Sequence, residues 1–205
     1  MRSRFLLLVL GATAAAGALP AAVLAQGVSR PLYDPGSRLI NLNALSRTIS
    51  DTTGMALSIE APPAADPEAR LAQAGRAFAA LAQVYAQLKV PAGVRDSARM
   101  IVGNPQFRVR SDLGGKPLAI YLDCGQDVYG LYADIAPVEM SLVTFLAPQG
   151  GSTIEVRTVL VARAVEIPRI RPNVRDCRST TELEKRVYEM LVKALAKEGY
   201  RGSSE

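Results

Sequence analysis

The chain of 205 residues has no histidine, no tryptophan and only two cysteines. Without histidine, Ser-His-Asp and Cys-His nucleophiles, histidine-ligated zinc and haem, and the usual general base at neutral pH are excluded. Most hydrolase mechanisms fall with them. Without tryptophan, an aromatic platform for sugars would rest on seven tyrosines and four phenylalanines. Strong charge of one sign is also missing: 24 Lys and Arg stand against 19 Asp and Glu, a formal net charge of +5, with both signs intermixed. Nucleic-acid binding is not called for. No internal repeat or low-complexity tract is present. Since 49% of the residues are apolar, a globular chain is expected.

What is there begins with an address. Arg2 and Arg4 give a positive start, Phe5 to Leu10 is an unbroken apolar run, and an Ala/Gly-rich segment continues to Leu24. Val23-Leu24-Ala25 before Gln26 places small residues where signal peptidase requires them, so residues 1–25 read as a cleaved export signal. An uncleaved anchor is the competing reading, since Phe5 to Ala25 approaches the roughly 20 residues that span a bilayer. Against it, the segment after Leu10 is mostly Ala, Gly and Thr and contains Pro20. No cysteine stands at the cleavage site, which disfavours a lipoprotein. Cleavage would leave 180 residues with a formal charge of +3, enough for one domain with a sizeable core. The location expected is the periplasm or the exterior.

In such an oxidising compartment Cys124 and Cys177 are read first as a disulfide. Closing a loop of that length would stabilise the fold by about 4 kcal/mol on the chain-entropy model. A redox or nucleophilic thiol is the alternative, but neither a CxxC spacing nor a neighbouring histidine exists to activate it.

Residues 26–48 form an irregular leader rich in turn formers, and 49–199 a single domain followed by a tail over 200–205. Within Ile49 to Ile59, the alternation of Met55, Leu57 and Ile59 predicts a strand. Asp66-Pro67 opens a helix with a capping carboxylate and a first-turn proline. Its apolar stripe is Leu71, Ala74, Phe78, Leu81, Tyr85 and Leu88, and it ends before Pro91. From Ala98 to Ile167 the pattern is β. Met100–Val102 and Phe107–Val109 are expected to pair as a hairpin around Gly103-Asn104-Pro105. Strands are expected over Leu118–Leu122, over Tyr129–Leu146 with a break at Pro137, and over Thr153–Ile167. In the last of these, Ile154, Val156, Thr158, Leu160, Ala162 and Ala164 share one face and Glu155, Arg157 and Arg163 the other, an antiparallel sheet with one wet side. Residues 168–178 read as irregular. A capping box, Ser179 with Glu182, then opens a final helix whose apolar face is Leu183, Val187, Met190, Leu191, Ala194 and Leu195, with Gly199 as its stop. The fold class is α+β: a curved antiparallel sheet packed on a long C-terminal helix, with a second amphipathic helix after the first strand, in helix-grip-like order.

Sites are sparse. Gly115-Lys116 fails as a phosphate loop, because Arg110 stands where a glycine is needed and Pro117 where Ser or Thr is needed. Asp123, Asp127 and Asp134 crowd the region of Cys124 without the spacing of a calcium loop. Asp123 and Glu139 are indistinguishable from surface acids as paired catalytic carboxylates. No metal, cofactor or catalytic residue is assigned. Arg169, Arg171, Arg175 and Arg178 fall within ten residues and are either a solvated loop or contacts for an acidic partner or anionic lipid head groups.

At Tyr121-Leu122-Asp123-Cys124-Gly125, and again at Cys177-Arg178-Ser179-Thr180 leading into Leu183-Glu184, the chain resembles an uncharacterised group of exported bacterial proteins, over about Asp66 to Lys197. These motifs are structural and imply no activity. In element order alone it is similar to the helix-grip domains of envelope-assembly lipoproteins, without their lipobox. The expectation is a non-enzymatic exported binding or adaptor domain of the bacterial cell envelope, partnered by an envelope protein or an anionic lipid surface. The alternative is a carrier of a lipid or other apolar ligand in a cavity between sheet and C-terminal helix. An enzyme using carboxylate chemistry ranks third.

Overall fold

The computed structural model describes residues 54–166 and 173–203. The export signal over 1–25, the leader over 26–48, residues 49–53 of the first predicted strand, and Arg169 and Arg171 lie outside the described residues.

Strand β1 (Met55–Glu60) leads to helix α1 (Pro67–Gln87), and the chain then enters β2 (Val94–Asp96) and β3 (Ile101–Arg110). A lobe of short elements follows: β4 (Asp112–Leu113), β5 (Lys116–Pro117), a 3-10 turn (Leu118–Ile120), β6 (Leu122–Asp123), β7 (Gln126–Asp127), β8 (Gly130–Leu131) and the one-turn helix α2 (Tyr132–Ile135). Two long strands, β9 (Pro137–Pro148) and β10 (Thr153–Glu166), precede β11 (Asn173–Ser179), helix α3 (Glu182–Leu195) and β12 (Arg201–Gly202). The architecture is α+β, an open antiparallel sheet in the order β12-β1-β10-β9-β3-β2, with β11 paired to the far half of β10 and also to β6.

Helix α1 starts as its sequence dictates. Asp66 Oδ1 accepts the Ala69 amide at 2.7 Å and Pro67 follows at the first position, where a missing N–H costs nothing. Ala74, Phe78, Leu81, Tyr85 and Leu88 are all buried, facing the sheet together with the inner face of α3. The exception is Leu71, predicted on the stripe but 66% exposed. In that turn Gln73 is buried instead, its amide donating to the Pro62 carbonyl at 2.7 Å. On α3, Leu183, Val187, Leu191 and Leu195 are fully buried, Met190 is half-buried, and Ala194 is exposed. A 3-10 turn and Gly199, at φ 84°, then end the helix, a left-handed position that suits glycine.

The expected hairpin around Gly103-Asn104-Pro105 is instead one strand. β9 is long enough to pair with both halves of β3, Ile101–Asn104 against Leu142–Phe145 and Phe107–Arg110 against Pro137–Met140, and the Asn-Pro pair is absorbed as a bulge. Asn104 holds that bulge, accepting the Gln106 amide at 2.9 Å and donating to the Pro91 carbonyl at 3.0 Å. Gly103 is required there: a Cβ would lie 2.3 Å from the Leu142 carbonyl oxygen. The strand expected at Leu118–Leu122 is mostly a 3-10 turn, because Leu118 and Tyr121 both point into the core. The strand expected from Tyr129 is likewise cut short, since Tyr132–Ile135 coils into α2 before β9 begins at Pro137.

Further corrections concern the C-terminal half. Residues 173–179, read as irregular, form β11, because the far end of β10 supplies a free edge. The capping box does not form: Thr181 is the residue before the helix, at φ 69°, while the Glu182 amide reaches Thr180 Oγ1 and Ser179 Oγ accepts the Thr181 amide and donates to Glu184 Oε1. The expected tail begins inside the domain. Tyr200 is buried, its hydroxyl donating to the Gln73 carbonyl, and Arg201–Gly202 pairs with β1.

A chain of buried hydroxyls runs between sheet and helices, Tyr85 to Thr144 at 2.8 Å and Thr144 to Thr158 at 2.9 Å. Burial pushes the Tyr85 hydroxyl well above its ordinary range, keeping it protonated. The alternation predicted on β10 holds on this side, where Ile154, Val156, Thr158, Ala162 and Ala164 are buried. The other side is not simply wet: beside Glu155, Arg157 and Arg163 lies a separate buried cluster of Ile101, Val143, Phe145 and Val159.

Candidate functional site

The lobe between β3 and β9 collects most of the chemistry that the sequence offers. Its links to the sheet are specific. Leu122 and Asp123 of β6 pair with Ser179 and Arg178 of β11, and the Cys124–Cys177 disulfide joins the same two segments across 53 positions of sequence. Thr180 adds a third tie, its amide donating to the Tyr121 carbonyl and its hydroxyl to the Ile120 carbonyl. The bridge therefore holds the approach to α3 against the lobe, as its position before that helix implied.

Each of the three aspartates closes a turn. Asp123 Oδ1 accepts the Gly125 amide at 3.0 Å, Asp127 Oδ1 the Tyr129 amide at 2.7 Å, and Asp134 Oδ1 the Ala119 amide at 3.0 Å. Their carboxylates serve three different places, and among the described residues no group of three metal-ligating side chains forms. Glu139 faces the opposite side of the sheet in a double ion pair, to Arg108 at 2.7 Å and to Arg163 at 2.5 Å. Burial works against its ionised form, but the hydrogen bonds and charges of the two guanidinium groups prevail and hold the carboxyl below the usual range. Asp123 and Glu139 are thus not brought together.

The arginines divide. Arg175 stacks its guanidinium over the Tyr132 ring, 4.2 Å from the centroid, so β11 and α2 are clasped by a cation–π contact. Arg178 is exposed and, with Asp123, Asp176 and the disulfide, borders a shallow depression of about 450 Å³. A second groove of about 730 Å³ lies between α1 and α3, its lining including Lys116, Arg186, Glu189, Lys193 and Lys197. Arg186 is fixed there by the Tyr121 hydroxyl and by the Gly114 carbonyl at 2.9 Å.

The feature that sequence reasoning missed is the tip of the β7–β8 hairpin. Val128 is 92% exposed and Tyr129 84%, while Leu131 and Ile135 beside them are 46% and 41% exposed. The signal was present as Asp127 and Gly130, turn residues flanking two large apolar side chains; Gly130 has φ 130° and Asp127 caps the turn. Reading Tyr129 as the start of a strand concealed it.

Comparison with protein-family models, with curated proteins and with solved structures finds no match. Among the described residues no helix is long and apolar enough to cross a membrane.

Proposed function

We propose that this protein is a non-enzymatic binding or adaptor domain, exported to the bacterial cell envelope, that docks a protein partner through the stapled lobe. The observation carrying this reading is the exposure of Val128 and Tyr129 on a braced hairpin. Large apolar side chains held in water are unfavourable, and Tyr beside an aliphatic is the composition of an interface anchor. The disulfide and the Arg175–Tyr132 contact reduce the freedom that docking would remove, which raises affinity for a given contact area. Arg175 and Arg178 on β11 stand beside the lobe and supply cationic groups suited to an acidic partner.

Export is supported by the Val23-Leu24-Ala25 signal, and a disulfide is compatible with it. The interior supports docking over the carrier reading: Phe78, Leu81, Met140, Leu142 and Val187 meet in the layer between sheet and helices where a ligand would lie.

A photoreactive amino acid in place of Tyr129, in protein expressed in its own host, tests the reading. The mature chain should begin at Gln26 and cross-link to a discrete envelope protein, and V128S should suppress the adduct. Cross-linking to lipid alone would transfer the role to a membrane surface, and no adduct would remove the lobe from consideration.

A further inference from the structure

The groove between α1 and α3 carries charge that the fold does not compensate. Lys116 of β5, Arg186 and Lys193 of α3, and Lys197 of the 3-10 turn after it stand there with one carboxylate, Glu189. Elsewhere on the fold Arg76, Arg108, Arg157 and Arg163 each meet a carboxylate within ion-pair distance. Among the described residues none of the four groove cations does. A pairing of Glu189 with Lys193 would still leave Lys116, Arg186 and Lys197 without a counter-charge. Arg186 is the fixed member of the set. It is half-buried, and its two Nη atoms donate to the Tyr121 hydroxyl, itself 1% exposed, and to the Gly114 carbonyl. The guanidinium lies so close to Gly114 that a Cβ there would stand 3.3 Å from Nη1. Bonds to neutral acceptors hold its direction without cancelling its charge, and they leave its other N–H groups for an anion.

We propose that this groove binds an extended acidic segment of a partner protein. The cations follow a line. Arg186 and Lys193 share a face of α3, about 10 Å apart at about 1.5 Å per residue. Lys116 follows Gly114 closely in sequence at the Arg186 end, and Lys197 lies one turn beyond Lys193 at the other. About five residues of extended chain, at about 3.3 Å each, cover that span and carry acidic side chains to both ends. The rest of the lining selects a peptide among polyanions. Gln83 and Gln87 stand one above the other on α1, about 6 Å apart, and their amides both donate and accept. An extended peptide presents equivalent backbone N–H and C=O groups along one edge about every 6.6–6.8 Å, and so can use both functions. Phosphate oxygens only accept; they would leave the Gln carbonyls idle and be repelled by Glu189. Among the described residues no aromatic ring lines the groove, so nucleic-acid bases find no stacking platform. Neither Val128 nor Tyr129 lines it, so this site is additional to the hairpin tip.

Titration of the purified exported chain with a short fluorescent peptide of alternating Glu and Ser, read by anisotropy, tests this. Binding should be saturable, should weaken as salt is added, and should shift the amide resonances of Gln83, Gln87 and Ala194. Arg186→Lys keeps the charge but loses the fork, and should weaken binding roughly tenfold. Gln83→Ala with Gln87→Ala should weaken it roughly fivefold. Lys193→Glu with Lys197→Glu, at exposed positions that leave far-ultraviolet circular dichroism unchanged, should abolish it. Val128→Ser should leave the affinity as it is, which separates failure at this groove from failure at the hairpin. Polyphosphate of matched charge, or phosphatidylglycerol vesicles, binding as tightly as the peptide and losing that affinity in the Lys193→Glu, Lys197→Glu protein would overturn the proposal. So would a titration that does not saturate, or one that the charge reversal leaves unchanged.

Discussion

Glu184 offers the sharpest test of the packing. It sits in the first turn of α3, only 4% exposed, with Oε1 accepting a hydrogen bond from the Ser179 hydroxyl at 2.7 Å and Oε2 left without a partner. Burial pushes its carboxyl above the ordinary range; the Ser179 bond and its own backbone amide oppose this, and the charge of Glu182 adds to it. A buried charged oxygen lacking a partner costs about 1–3 kcal/mol, of which the helix N-terminus returns about 0.3–1 kcal/mol. Glu184→Gln keeps the Ser179 bond and removes the charge. The variant should therefore be more stable at neutral pH by about 1–2 kcal/mol, which is about 2–8 °C in Tm for a domain of this size. The pH dependence fixes the cause. With the folded pKa above the unfolded one, both states are protonated in strong acid and no penalty exists. The penalty grows as pH rises from the unfolded value to the folded value and is constant beyond. Paired thermal unfolding of parent and variant from pH 3 to 8 should show curves that coincide in acid and separate through the carboxylate range. A variant of equal or lower stability at pH 7, or an offset independent of pH, would refute the reasoning.

Glu139→Gln should behave in the opposite sense. Its folded pKa lies below the unfolded one, so the stabilisation is full at neutral pH and disappears as pH falls through the folded value; urea unfolding should show a loss of about 1–3 kcal/mol at pH 7 that vanishes in acid. Replacing Cys124 and Cys177 together by Ser should cost up to about 4 kcal/mol, read by chemical denaturation, while far-ultraviolet circular dichroism stays near that of the parent because the helices and long strands do not depend on the bridge. Changing Arg169, Arg171 and Arg175 together to Ser should weaken envelope association in a salt-sensitive way, measured by co-sedimentation at increasing ionic strength, without loss of the folded state.

Wherever the physics is local, the chain's own residues dictated the outcome. Asp66-Pro67 starts α1 and Gly199 stops the last helix because caps and left-handed positions depend on a few neighbouring atoms. The inward face of β10 and most of the inward face of α3 followed from periodicity, and the two cysteines are joined. Tertiary structure decided everything that depended on which partner was near. Gly103-Asn104-Pro105 became a bulge because β9 is long enough to hold both halves of β3, and residues 173–179 became a strand because β10 offered an edge. Ser179 turned from a cap into a partner for Glu184, and Gln73 displaced Leu71 from the interior, since burial depends on what lies opposite. The same holds for the candidate site. Asp127 and Gly130 mark a turn in any context, but only the assembled lobe determined that Val128 and Tyr129 would be left facing water.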